Sequence, residues 1–211
     1  MTEDESSEKI VEDGAVCEHL YRNEKCKIVH LLKEPTKEGE SLAKVIENKV
    51  IQQGRVRGTI FKVVARRSYC IQNGFPTWVE LERKESRYVD ALRRSAIVNM
   101  GPEPGGYSTE AERLEQLGTK WKERWYKGKL KVLEPNIVIC GGTFAVVVKT
   151  LKVAEEHLKQ VATGMRYWVD RGLNAVFIDC YHPSFRGNHA VEYCYFRESC
   201  RCLSEIGELQ V

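Results

Sequence analysis

Phe177-Ile178-Asp179-Cys180-Tyr181-His182-Pro183-Ser184-Phe185-Arg186-Gly187-Asn188 is the stretch on which the reading of this chain turns. An apolar run of strand character stops in a His-Pro-Ser turn and is followed by a wedge-sized pair, Phe185 and Arg186. A second edge of the same kind lies far upstream, where Cys26-Lys27-Ile28-Val29-His30-Leu31-Leu32 runs into Lys33-Glu34-Pro35. A carboxylate and an imidazole at the carboxyl ends of two strands can share one crevice, the place where open α/β sheets bind ligands.

Working outward, four short runs are apolar on both faces, as in a parallel sheet: Lys27–Leu32, Ala96–Asn99, Asn136–Cys140 and Ala175–Cys180. Helical patterns fill the gaps at Ser41–Gln53, Val79–Arg94, Thr109–Leu133, Thr143–Leu158 and His189–Ile206. The third opens with a capping box, Thr109 and Glu112, and carries Gly118 and Gly128 as candidate breaks. Gly54–Phe75 reads as a hairpin or a long loop, and Met165–Val169 as a further short strand. Strands alternating with helices imply right-handed crossovers. The expected fold is α/β: a three-layer αβα domain with a central, mostly parallel four-stranded sheet, spanning 16–211 after a frayed acidic tail at 1–15.

The bulk properties exclude more than they assign. At 211 residues the chain fits one domain with a sizeable core. A net charge of +3 is too small to signal a nucleic-acid partner, so the arrangement of charge must carry that question. No apolar run approaches the roughly 20 residues that span a bilayer, and the acidic start is unlike a signal or transit peptide. The eight cysteines contain no Cys-x-x-Cys spacing, and Cys200-Arg201-Cys202 is isolated. Cys140 and Cys180 sit in apolar runs as small hydrophobes. Only Cys17, Cys26, Cys194 and Cys200 offer a set from which a metal site could be drawn. The expectation is a reduced, cytoplasmic, monomeric protein with no metal, no cofactor and no membrane contact.

The strand ends, taken in order, resemble the motifs of the uracil-DNA glycosylase superfamily. Lys33-Glu34-Pro35 matches the carboxylate or amide before proline, and Ala96-Ile97-Val98-Asn99 the strand ending in a base-reading asparagine. Ile137-Val138-Ile139-Cys140-Gly141-Gly142 matches the strand that enters a helix through a glycine turn, and His182-Pro183-Ser184 with Phe185 and Arg186 the last motif and its wedge. Two positions depart from the family pattern. Thr36 stands where the best-known members shield the pocket with an aromatic residue, and Leu31 or Leu32 replaces the glycine that opens the first motif. The cluster-ligand spacing of the family's iron–sulfur members is also absent. A smaller residue beside C5 implies room for a hydroxymethylated or glycosylated cytosine, such as some members are implied to excise from phage DNA, with uracil as the simpler substrate.

Cleaving an N-glycosidic bond puts positive charge on the sugar and negative charge on the base, so an anion and a set of donors are needed. Glu34 is the candidate for stabilising the sugar and orienting water, and His182 for donating to the base. Asn99, Thr36 and Phe75 are candidate base contacts, with Phe61, Tyr69 and Trp78 as other stacking candidates. A flipped base leaves a gap that Phe185 or Arg186 would fill. Ser184, Lys33, Lys37, Arg186 and the Gly142 amide are candidate phosphate contacts. A basic, aromatic stretch, Lys120–Lys129, and the cluster Arg55, Arg57, Arg66 and Arg67 are the other cationic features. Two other classes share these residues: a hydrolase of free nucleosides or nucleotides, and a DNA-binding module without catalysis. Phosphate contacts along DNA give a steep salt dependence that the former lacks.

Overall fold

Four fully or nearly fully buried strands form the middle of one sheet. The computed structural model describes residues 11–35, 41–83, 85–105 and 110–209, and in chain order its strands are β1 (Gly14–Ala15), β2 (Ile28–Leu32), β3 (Ile51–Gln52), β4 (Arg55–Val56), β5 (Ala96–Asn99), β6 (Ile137–Gly141), β7 (Lys159–Gln160), β8 (Arg166–Asp170) and β9 (Ala175–Cys180). The helices are α1 (Glu18–Arg22), α2 (Leu42–Val45), α3 (Thr59–Gln72), α4 (Trp78–Glu82), α5 (Tyr88–Arg93), α6 (Ala111–Lys120), α7 (Lys131–Leu133), α8 (Phe144–Leu151) and α9 (His189–Glu205). Residues 1–10, Thr36 and Lys37, and Thr109 with its expected cap lie outside the described residues.

The main sheet runs β1-β5-β2-β6-β9-β8-β7. Its centre, β5-β2-β6-β9, is parallel, whereas β1, β8 and β7 pair antiparallel. The sheet therefore has seven strands, built around the central four that were expected, and β8 is the further short strand read at Met165–Val169. β1 and β7 are two residues each and carry no apolar pattern, so only backbone pairing reveals them. β1 also corrects the tail: Val11 and Asp13 are buried, and Gly14–Ala15 pairs with Ile97 and Ala96.

Period-two alternation splits the strand side chains between two cores, as a three-layer sandwich requires. Ile28, Ile97, Ile139 and Ile178 face α3, α5 and α9 on one side. Val29, Val98, Val138 and Phe177 face α6, α8 and the buried Trp125 on the other. Helix α3 fills the stretch read as a hairpin or loop, preceded by the small β3–β4 hairpin. The pattern read as Ser41–Gln53 is α2 continued by a π-helical turn, Ile46–Val50. Thr109–Leu133 divides into α6, a π-helical stretch Glu123–Leu130, and α7. Helix α8 stops at Leu151, earlier than expected, because Lys152 turns left-handed and the Val153 N–H caps the Val148 carbonyl. No described helix is long and apolar enough to cross a membrane.

Register fixes what the sheet presents. Leu32 pairs with Asn99, Leu31 with Cys140, and Gly141 with Cys180. The carboxyl ends of four adjacent strands are thereby level, and Glu34, Asn99, Gly142 and His182 all fall on one rim.

Candidate active site

The rim has two halves, built differently. In the first, β2 continues into Lys33-Glu34-Pro35 while the turn after β5 zips onto it. The N–H groups of Met100, Gly101 and Gly105 donate to the carbonyls of Leu32, Lys33 and Pro35 at 2.9, 3.0 and 2.8 Å. The Glu34 carboxylate lies against the α-carbon of Gly105, where a β-carbon would overlap it. This covering leaves the Glu34 side chain 4 % exposed, with Arg113 Nη2 3.7 Å from its Oε2. A carboxylate covered by the Gly105 backbone and flanked by Arg113 has little room to move. Asn99 closes this half, 3 % exposed. Its N–H donates to Asp13 Oδ2 at 2.7 Å, and its carbonyl accepts from Arg124 at 3.3 Å.

In the second half, β9 leads into the His-Pro-Ser turn. The Ser184 N–H donates to His182 Nδ1 at 3.2 Å, and the Ser184 hydroxyl lies 2.7 Å from the same nitrogen. An N–H can only donate, so Nδ1 is the acceptor and the neutral ring carries its proton on Nε2. Nε2 makes no hydrogen bond among the described residues. Burial lowers the His182 pKa to about 4, and the charges of Lys33 and Arg67 push the same way. The imidazole is thus neutral at physiological pH, with a free N–H donor on the rim.

Two features fix this turn from behind. Gly142 adopts φ +69, and a β-carbon there would lie 3.2 Å from His182 Cβ and 3.6 Å from Lys33 Cε. The ends of β2, β6 and β9 therefore meet at a position where a side chain would be strained and glycine is favoured. Below, Arg67 of α3 is 2 % exposed and donates to the Tyr181 carbonyl at 2.9 Å and to Glu192 Oε1 of α9 at 2.5 Å. This buried ion pair ties both helices to the residue before His182.

Of the sequence candidates, Lys33, Glu34, Asn99, Gly142, His182, Ser184, Phe185 and Arg186 all lie at or just past the carboxyl ends of the parallel strands; Gly142 sits against His182 and Lys33, and Ser184, Phe185 and Arg186 line a groove with residues 58–61. Thr36 and Lys37 lie outside the described residues. Phe75 is not on the rim: it follows the carboxyl end of α3, packs on the core and has its carbonyl bound by Arg197 at 2.8 Å. Among the other stacking candidates, Tyr69 is buried against Tyr88 and Trp78 packs on Tyr193. Phe61 alone of the four lines a groove beside the His-Pro-Ser turn. The cationic clusters are largely spent internally. Arg124 and Lys129 hold Asp13, Lys120 holds Glu103, and Arg66 lies 4.9 Å over the Trp78 ring. Trp125 is fully buried.

Sequence reasoning missed Gly105, Arg113 and Tyr181, and it read Arg67 as part of a cationic cluster, whereas the side chain is buried and paired with Glu192. Gly105 was visible as part of a Pro-Gly-rich turn, while Arg67 gave no signal apart from its charge. All eight cysteines are free thiols. Compared with known proteins, the chain matches no protein-family model and no curated protein sequence.

Proposed function

We propose that the protein is a monofunctional DNA glycosylase, which hydrolyses the N-glycosidic bond of a flipped-out, non-standard pyrimidine and leaves an abasic site. The observation that carries this reading is the neutral His182, its Nε2–H free, on the same rim as the covered carboxylate of Glu34. The motif-by-motif resemblance of these strand ends to uracil-DNA glycosylases supports it. Glu34 stabilises the cationic sugar as the bond to the base breaks and orients the water that adds to C1′. His182 donates through Nε2 to the base oxygen on which negative charge develops. A neutral donor suits this step, because it needs no proton taken up at physiological pH. Asn99 reads the base edge, and Arg186 and Lys33 are placed for phosphates flanking the extruded nucleotide.

The leading substrate is a C5-modified cytosine, hydroxymethylated or glycosylated, as in phage DNA. That choice rests on Thr36 standing where an aromatic shield is expected; uracil is next. The test is a panel of labelled oligonucleotides carrying uracil, 5-hydroxymethylcytosine and glycosylated 5-hydroxymethylcytosine, scored for alkali-labile abasic sites. Cleavage at one of the modified positions is expected. An enzyme that leaves every member intact, as single strand and as duplex, is not a glycosylase of this class.

A further inference from the structure

We propose that the groove beside the His-Pro-Ser turn binds single-stranded DNA, with Phe185 and Tyr181 as a two-ring platform on which an unpaired base stacks. The choice of DNA rests on the glycosylase reading; the stacking platform stands on the geometry. Tyr181 and Phe185 are exposed large apolar side chains, at 57 % and 48 %. Their rings stack on each other, with centroids 4.7 Å apart and planes 17° from parallel. The main chain under both rings is held in place. Arg67 grips the Tyr181 carbonyl, and the Phe185 N–H donates to the His182 carbonyl at 2.9 Å. A preorganised surface of this kind loses little side-chain freedom when a ligand binds.

Phe185 also lines a groove of about 540 Å³. The groove is lined by residues 58–61 and by Ser184, Phe185, Arg186 and His189. No described residue of this lining is a carboxylate, and the exposed Arg57 directly precedes it in the chain. Aromatic residues beside Arg186, in a lining without carboxylates, suit a strand with planar bases and a phosphate backbone, and every base has a face to stack.

The platform's thickness decides between strand states. A duplex wedge fills a gap of one base, about 3.4 Å of stack along a strand. A lone ring fits that gap, whereas a stacked pair is about two bases thick. The Phe185–Tyr181 pair therefore extends a stack of unpaired bases instead of replacing one base in a helix.

The test uses the full chain and fluorescence anisotropy with an unmodified, labelled 15-nucleotide single strand, its duplex, and an RNA of the same sequence. The single DNA strand should bind at least 10-fold more tightly than the duplex. Phe185→Ala and Tyr181→Ala should each weaken it by about 5- to 100-fold, with Phe185→Trp close to wild type. Arg186→Gln should lower the slope of log affinity against log salt by about one. Equal or tighter duplex binding, or alanine variants that bind as wild type, would overturn the platform. RNA bound more tightly than DNA would overturn the assignment to DNA. Base release is scored separately on the same variants. Release with unaltered single-strand binding removes the platform and leaves the glycosylase. The stated binding losses without release from any substrate keep the platform and remove the glycosylase.

Discussion

The interior of the parallel sheet and its carboxyl rim use the same side chain in opposite ways. His30, in the middle of β2, is fully buried, and burial with the nearby Arg67 charge lowers its pKa to about 3. Its Nε2 lies 2.8 Å from the Ser68 hydroxyl, and its Nδ1 has no hydrogen-bond partner among the described residues. His182, past the end of β9, is also held neutral, yet its Nδ1 is occupied and its Nε2 is free. Both pKa values are depressed for the same first reason, desolvation. A depressed value alone therefore marks no active site. The nitrogen left free on the rim separates a packing histidine from a candidate donor.

The largest expected effects lie on the rim. Glu34→Ala and His182→Ala should lower single-turnover excision by about 10²–10⁴-fold and 10²–10³-fold, with unfolding midpoints close to wild type. Loss of excision only together with loss of folding would return both residues to a structural role. Gly105→Ala tests the positioning of the carboxylate without removing it. Its methyl must displace Glu34, and excision should fall by about 10- to 100-fold with Glu34 still present. An unaltered rate would show that the covered position of Glu34 is irrelevant.

The support behind His182 should register first in stability. Arg67→Met leaves Glu192 without its cation and frees the Tyr181 carbonyl, and should cost about 3–5 kcal/mol in denaturant unfolding. A companion Arg67→Met/Glu192→Leu protein should recover much of that loss, because it removes the stranded charge as well. If the double variant is no better than the single one, the ion pair is not what holds the turn.

The smallest effect sharpens the comparison of histidines through pH. Above the ordinary histidine value near 6.5, neither the folded nor the unfolded chain protonates these rings, and full stability is present. As pH falls below 6.5, the unfolded chain takes up protons that the folded chain refuses. Stability is lost down to about pH 4 through His182 and about pH 3 through His30, by up to about 1.4 kcal/mol per pH unit for each group. His30→Gln should make this acid limb shallower and leave excision nearly unaltered. His182 sets a different limit on excision, which should hold between pH 8 and 5 and fail only as pH drops through about 4. A rate that halves near pH 6.5 would contradict a neutral, depressed His182.

The four parallel strands were legible because both faces are buried, which leaves continuous runs such as Ile28–Leu32 and Ile137–Gly141. Their polar ends made the rim legible too. Helix α3 was hidden for a specific reason: Arg67 and Ser68 occupy core-facing positions and interrupt its apolar stripe. They sit there because Arg67 is paired with Glu192 and Ser68 is hydrogen-bonded to His30, partners 125 and 38 residues away. Such long-range pairing leaves no local periodicity to read. Phe75 misled in the opposite direction. It was one of four aromatic residues offered for stacking on a base, but α3 carries it away from the rim to the middle of α9.

The most direct measurement is the fate of oxygen-18 when the wild-type protein and Glu34→Ala act on the modified-pyrimidine panel in labelled water, followed by mass spectrometry. Hydrolysis at the rim predicts a free, unlabelled base and one heavy oxygen on C1′ of the abasic sugar, with the Glu34→Ala protein releasing almost none. Label found in the base, no release from any substrate, or equal release by the variant would contradict the account.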